Sequence, residues 1–134
     1  MSQHATGTFK IEGWDEQTYL EEESGGKLSR ASVKQSFAGD IDGEGLVEWL
    51  MCYRPDQTAD FVGLQRIAGR VGDRSGSFVL QSNGVFDGKE ARGELSVVAG
   101  SGTDDLRGIA GRGEFIAPVG GGEPTVSLDY DYEA

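Results

Sequence analysis

Ala59-Asp60-Phe61-Val62-Gly63-Leu64-Gln65-Arg66-Ile67-Ala68-Gly69-Arg70-Val71-Gly72 runs through Asp73-Arg74-Ser75-Gly76 into Ser77-Phe78-Val79-Leu80-Gln81-Ser82, and this stretch decides the fold. Its side chains alternate with a period of two, as in a strand with one buried and one wet face. Gln65, Ile67, Val71, Phe78, Leu80 and Ser82 share one face, while Leu64, Arg66, Ala68, Arg70, Val79 and Gln81 share the other. The first set is the more apolar and is accompanied by Gly63 and Gly69, so it is assigned to the interior. A hairpin centred on Asp73-Arg74 sets Gln65 opposite Ser82 across the ladder.

The same alternation continues on both sides. Thr6 to Trp14 sets Phe9 and Ile11 against Thr8, Lys10 and Glu12, and a polar loop follows at Glu21-Glu22-Glu23-Ser24-Gly25-Gly26. Leu28 to Asp40 and Gly45 to Tyr53 are joined through Asp42-Gly43, a tight-turn pair. In the second of these strands Val47, Trp49, Met51 and Tyr53 oppose Leu46, Glu48, Leu50 and Cys52. Asn83-Gly84 and Asp87-Gly88 are further turn signals, and Gly93 to Ala99, Leu106 to Pro118 and Thr125 to Glu133 complete the set. No window sustains capped helical periodicity over three turns. The chain therefore reads as all-β, about eight short-turned antiparallel strands in a barrel or sandwich, forming one domain over 1–134 with a flexible arm at 1–4. The 22 glycines follow no collagen-like period and fall within strands and at their ends, where closure of a small barrel needs bends and close backbone approach.

Composition removes several functions. With 12 Lys+Arg against 23 Asp+Glu the net charge is −11, a field that repels nucleic acid and anionic lipid. No apolar stretch is long enough to span a bilayer as a helix. Met1-Ser2-Gln3-His4-Ala5 has no basic leader or apolar h-region, and Cys52 is the sole cysteine, so a reducing cytoplasm is expected. His4 is the sole histidine and has no partner for a nucleophilic triad. Cys52, mid-strand, is expected to be a buried, inert thiol.

No cofactor or metal motif survives inspection. Gly84 to Lys89 is too short for a phosphate loop, with Glu90 where the magnesium-binding hydroxyl belongs. Gly111-Arg112-Gly113 lacks a third glycine and a helix. Asp40-Ile41-Asp42-Gly43-Glu44-Gly45 opens like a calcium loop, but Met51 stands at the bidentate position.

Taken together, Ala5-Thr6-Gly7-Thr8-Phe9, Trp14-Asp15-Glu16, Phe37-Ala38-Gly39-Asp40-Ile41-Asp42-Gly43, Phe61-Val62-Gly63-Leu64-Gln65-Arg66, Gly69 to Gln81, Val97-Val98-Ala99-Gly100-Ser101-Gly102-Thr103 and Leu128-Asp129-Tyr130 form an ordered set over nearly the whole chain. The set resembles a bacterial family of small single-domain proteins of unassigned function with the allene oxide cyclase-like barrel fold. The resemblance implies a closed barrel with a central cavity, often in a homo-oligomer. It is related in fold to plant cyclases that bind a hydrophobic epoxide and steer its ring closure without a cofactor. Where that family is expected to carry Glu and His, this chain has Gln65 and Ser82, a pair that hydrogen-bonds but does not titrate near neutral pH.

Three functions stay open. A cofactor-independent isomerase or cyclase would hold a small hydrophobic substrate against Trp14, Trp49, Gln65, Ile67, Phe78, Leu80 and Ser82, with Glu48 and Tyr53 as catalytic groups. A non-catalytic binder would use the same chamber for a hydrophobic metabolite. A structural barrel would have a filled interior, and an internal void smaller than a drug-sized ligand would favour it and sink the other two. Glu48 is a functional hint if its face is buried and simply wet if that face is outside.

Overall fold

Successive strands pair antiparallel in chain order, and the last returns to the first. In this computed structural model, which describes residues 3–133, the strands are β1 (Gln3–Glu21), β2 (Lys27–Gly39), β3 (Ile41–Tyr53), β4 (Ala59–Val71), β5 (Arg74–Phe86), β6 (Glu90–Val97), β7 (Ile109–Pro118) and β8 (Thr125–Tyr132). They close one eight-stranded barrel in the order β1 to β8. A 3-10 turn at Asp104–Leu106 is the one helical element among the described residues. Among the described residues no helix is long and apolar enough to cross a membrane.

Alternation of strand direction sorts the connections to two ends. One end carries the reversals at Asp40 and Gly72-Asp73 and the long connection from β6 to β7. That connection drives Leu106 of the 3-10 turn fully into the core, beside buried Ile109 and Tyr130. The other end carries the connections 22–26, 54–58, 87–89 and 119–124, and there the inward-facing Tyr53, Phe86, Ala91 and Ala117 are only half-buried. The barrel thus has a closed end and an open end.

The interior is built from rings seated on glycines. A Cβ added at Gly63 would stand 2.6 Å from Trp49 Cε3, at Gly45 2.7 Å from Phe37 Cε2, at Gly84 2.7 Å from Phe61 Cζ and at Gly93 2.8 Å from Phe115 Cζ. Trp49 pairs directly with Gly63, Phe61 with Gly84, and Phe115 with Gly93. Each ring lies across the bare backbone of the next strand and so reaches the barrel axis. Trp49 meets Phe61 at 4.8 Å, and Phe115 lies 5.9 Å from Trp49 and 6.1 Å from Phe61. A fully buried ring or aliphatic chain stabilises by about 1.5–3 kcal/mol, so these layers supply much of the driving force for closure.

The assignment of faces on β4 and β5 is borne out: Gln65, Ile67, Val71, Phe78, Leu80 and Ser82 are all buried. The register differs by two residues, because the turn is Gly72-Asp73 between paired Val71 and Arg74 rather than Asp73-Arg74. Gly72 makes the tighter turn by taking φ +60, where a side chain would be strained. Gln65 therefore pairs with Leu80, and Ser82 with Gly63.

Two expected turns lie inside strands. Asp42-Gly43 belongs to β3, and the chain reverses two residues earlier, at Asp40; Gly43 instead faces Gly69 on β4, where an added Cβ would come 2.8 Å from the Gly69 Cα. Asn83-Gly84 belongs to β5, and Gly84 seats the Phe61 ring. Leu106 ends the 3-10 turn rather than opening a strand. Of the arm expected at 1–4, residues 1 and 2 lie outside the described residues, while Gln3 and His4 belong to β1 and pair with Tyr130 and Asp129. Cys52 is exposed, correcting the expectation of a buried thiol: it follows Glu48 and Leu50 on the outer face of β3.

Candidate functional site

The middle of the barrel holds no chamber. Its enclosed void is ≈ 10 Å³, lined by Phe9, Gln35, Phe37, Trp49, Gln65, Leu95, Phe115 and Val126. That is about the space of one water molecule. Gln65 Nε2 donates to Gln35 Oε1 across it, so two buried amides satisfy each other between ring layers. Ser82 Oγ is buried and has no hydrogen-bond partner among the described residues. Ile67, Phe78 and Leu80 are packed into the solid closed-end half.

The structure separates the two residues expected to be catalytic. Glu48 points outward from β3 and pairs with Arg30 at 2.6 Å, both side chains largely solvated. Hydrogen bonds from Ser32 and then Arg30 hold its carboxyl below the ordinary value. Tyr53 is on the opposite, inner face of the same strand, so the wall lies between them.

Around Tyr53, at the open end, a different polar group assembles. Glu16 of β1 pairs with Ala31 and Trp14 pairs with Val33, both on the inner face of β2. Trp14 Nε1 donates to Glu16 Oε1 at 3.0 Å, and Ser29 Oγ donates to Glu16 Oε2 at 2.6 Å. Burial works to raise the Glu16 carboxyl, but hydrogen bonds from Ser29, Tyr53 and Trp14 and the charge of Lys27 outweigh it and hold the group below 4.5. The Tyr53 phenol is pushed up to about 12, first by burial and then by hydrogen bonding and charge from Glu16. Its hydroxyl also lies 3.6 Å from Met51 Sδ, and Lys27 Nζ sits 4.8 Å from its ring centroid.

Beneath this group lie Trp49, Met51 and Phe61. The open end therefore offers a carboxylate held ionised, a phenol held protonated and an indole 48% exposed, above a buried aromatic floor. This arrangement hydrogen-bonds and stacks; it does not exchange protons near neutral pH. Of the residues expected from sequence it gathers Trp14, Trp49 and Tyr53. It adds Glu16, Ser29 and Lys27, which sequence reasoning missed because the first strand was ended at Trp14. The signal lay in the continued alternation of Trp14, Glu16 and Thr18 against Asp15, Gln17 and Tyr19. Among the described residues no group of three His, Cys, Asp or Glu side chains is placed to hold a metal ion.

Comparison with known proteins agrees with this architecture. Residues 5–131 match the family described as Protein of unknown function (DUF3224). A crystal structure titled as a protein with unknown function from the DUF3224 family, from Shewanella oneidensis MR-1, superposes with a TM-score of 0.84 at 24% identity, covering 100% of both chains. No curated protein matches the sequence. The chain belongs to the DUF3224 family of proteins of unknown function.

Proposed function

We propose that this barrel is a non-catalytic binding protein that takes a small amphipathic molecule at its open end. One observation carries the reading: the Glu16 carboxylate, clasped by Trp14 and Ser29 beside Tyr53, sits over an aromatic floor at the uncovered end of a barrel filled below. The ligand's apolar part stacks on the exposed Trp14 ring and the half-buried Tyr53 ring above the buried floor, and a hydroxyl or carbonyl reaches Tyr53 or Glu16. By the void criterion the filled interior sinks a ligand held inside the barrel, for enzyme and binder alike, and favours a structural barrel; binding is supported instead by the polar group at the rim, which lies outside that interior. An isomerase or cyclase draws less support, since Glu48 is outside and the inward-facing Gln35, Gln65 and Ser82 do not titrate near neutral pH. A reducing cytoplasm remains our reading of the location, on the single free Cys52.

The test is a fragment screen followed by amide and indole NMR shifts, using small alcohols, ketones and phenols with an apolar body. Shifts should gather on Trp14, Glu16, Ser29 and Tyr53. Tyr53→Phe should weaken a hit by about five- to tenfold, the worth of one hydrogen bond. Shifts confined to the outer face, or unaffected by Tyr53→Phe and Glu16→Gln, would sink the proposal. Turnover of any hit would return the protein to the enzymes.

A further inference from the structure

The barrel wall is incomplete along one strand. β1 has 19 residues, but only Gln3–Thr8 pair with β8, and the Phe9 amide goes to the Pro124 carbonyl. From Lys10 to Glu21, β2 is the one strand paired with β1. Burial marks the same boundary. Past Phe9 no β1 residue is buried through Glu21, whereas Ser29, Ala31, Val33 and Gln35 on adjoining β2 are. Four large apolar side chains stand on this segment: Ile11 is 49% exposed, Trp14 48%, Tyr19 59% and Leu20 47%.

A free edge offers a row of N–H and C=O groups to any extended chain, and proteins blunt such edges with proline, lysine, bulges or a cover. Residues 10–21 contain no proline and one lysine. Their ladder with β2 is interrupted between Ile11 and Gly13 and between Thr18 and Leu20. The charges that remain are Glu12, Asp15, Glu16 and Glu21 against Lys10, with Glu22 and Glu23 just beyond.

That charge selects the occupant. A second copy would lay an equally acidic strand alongside, within a chain already at −11, and like charges facing each other across a ladder are destabilising. A basic strand gains where a second copy loses. We propose that the free edge of β1, Lys10–Glu21, takes an extended segment of a partner protein in which basic and apolar residues alternate. Main-chain bonds supply affinity, while the carboxylates of Glu12, Asp15 and Glu21 and the apolar side chains at Ile11 and Leu20 supply selectivity. This edge site does not depend on the open-end ligand.

The experiment uses the full chain and three labelled peptides: five Lys-Val repeats, five Glu-Val repeats, and the Lys-Val peptide N-methylated at every backbone nitrogen. Fluorescence anisotropy reads binding, and amide hydrogen exchange locates it. The Lys-Val peptide should bind, weaken as salt rises, and slow exchange at Lys10–Glu21. The pair Glu12→Lys and Asp15→Lys should weaken it by about tenfold, with the fold checked by circular dichroism. Absence of Lys-Val binding, equal binding of either control peptide, or protection elsewhere overturns the proposal. So does a peptide-free dimer with Lys10–Glu21 already protected, which would assign the edge to a second copy.

Discussion

Gln35 and Gln65 face each other from β2 and β4, both buried, with the amide of one on the carbonyl of the other. Gln65→Leu leaves Gln35 unsatisfied and should destabilise by about 1–3 kcal/mol in urea unfolding, while Gln35→Leu combined with Gln65→Leu should recover much of that loss. Ser82→Ala removes a buried hydroxyl with no partner and should be neutral or stabilising in the same measurement. At the open end the expectations concern pH. Because the Glu16 pKa is depressed in the folded state, its contribution is complete above 4.5 and is lost as pH falls through the folded value. Glu16→Gln should therefore flatten that part of the acid unfolding curve. The Tyr53 pKa is raised, so its contribution holds below 10.0 and is lost as pH rises toward about 12. Ultraviolet titration should find one tyrosine ionising near 12 in the parent, and lower in Glu16→Gln, where burial remains but the carboxylate charge is gone.

A strand's glycines can serve as hinges or as seats for rings, and the two roles predict different mutational costs. Gly63→Ala and Gly93→Ala push a methyl group into Trp49 and Phe115 and should each cost about 1–3 kcal/mol by thermal or urea unfolding. Gly121→Ala has open space around it and should leave stability nearly unchanged. This distinction explains how sequence reading placed turns at Asp42-Gly43 and Asn83-Gly84. Asx-Gly is a strong turn pair locally, but there the glycine answers to a neighbouring strand remote in sequence. Where one face was clearly the more apolar, as in Ala59 to Gly72, the buried face was legible, because a one-residue slip would turn it to water; in Gly45 to Tyr53 both faces carry large apolar side chains, and the sequence left the choice open.

Across the whole molecule the walls are unequal. β2 to β4 carry 13 residues each and pair along almost their full lengths on both sides, whereas β1 is held on both sides only through its first residues. Hydrogen exchange should therefore find the slowest amides in β3 and β4, flanked on both sides, and faster exchange among edge-facing amides of Lys10–Glu21. Uniform protection around the barrel would contradict this ordering. The rim site and the free edge share β1: Trp14 and Glu16 turn inward from the segment whose backbone edge is exposed. Glu16 was hard to find in the sequence because a lone carboxylate in an acidic run looks solvated, and its partners Ser29 and Tyr53 reach it only after two hairpins have folded.

Period-two alternation, scarcity of helical signals and abundance of glycine were enough to establish an all-β chain of about eight antiparallel strands and to choose the buried face of the central hairpin. These are local properties, set by which side chains prefer water and where a backbone can bend. The family resemblance added closure, which the barrel bears out; the two-residue shift that parts Gln65 from Ser82, the filling of the interior and the exposure of Glu48 and Cys52 belong to the folded barrel. Each depends on which strand becomes a neighbour and how far each ring reaches over it. The expected chamber is absent for the same reason: the space over the strand glycines is filled by the protein's own rings.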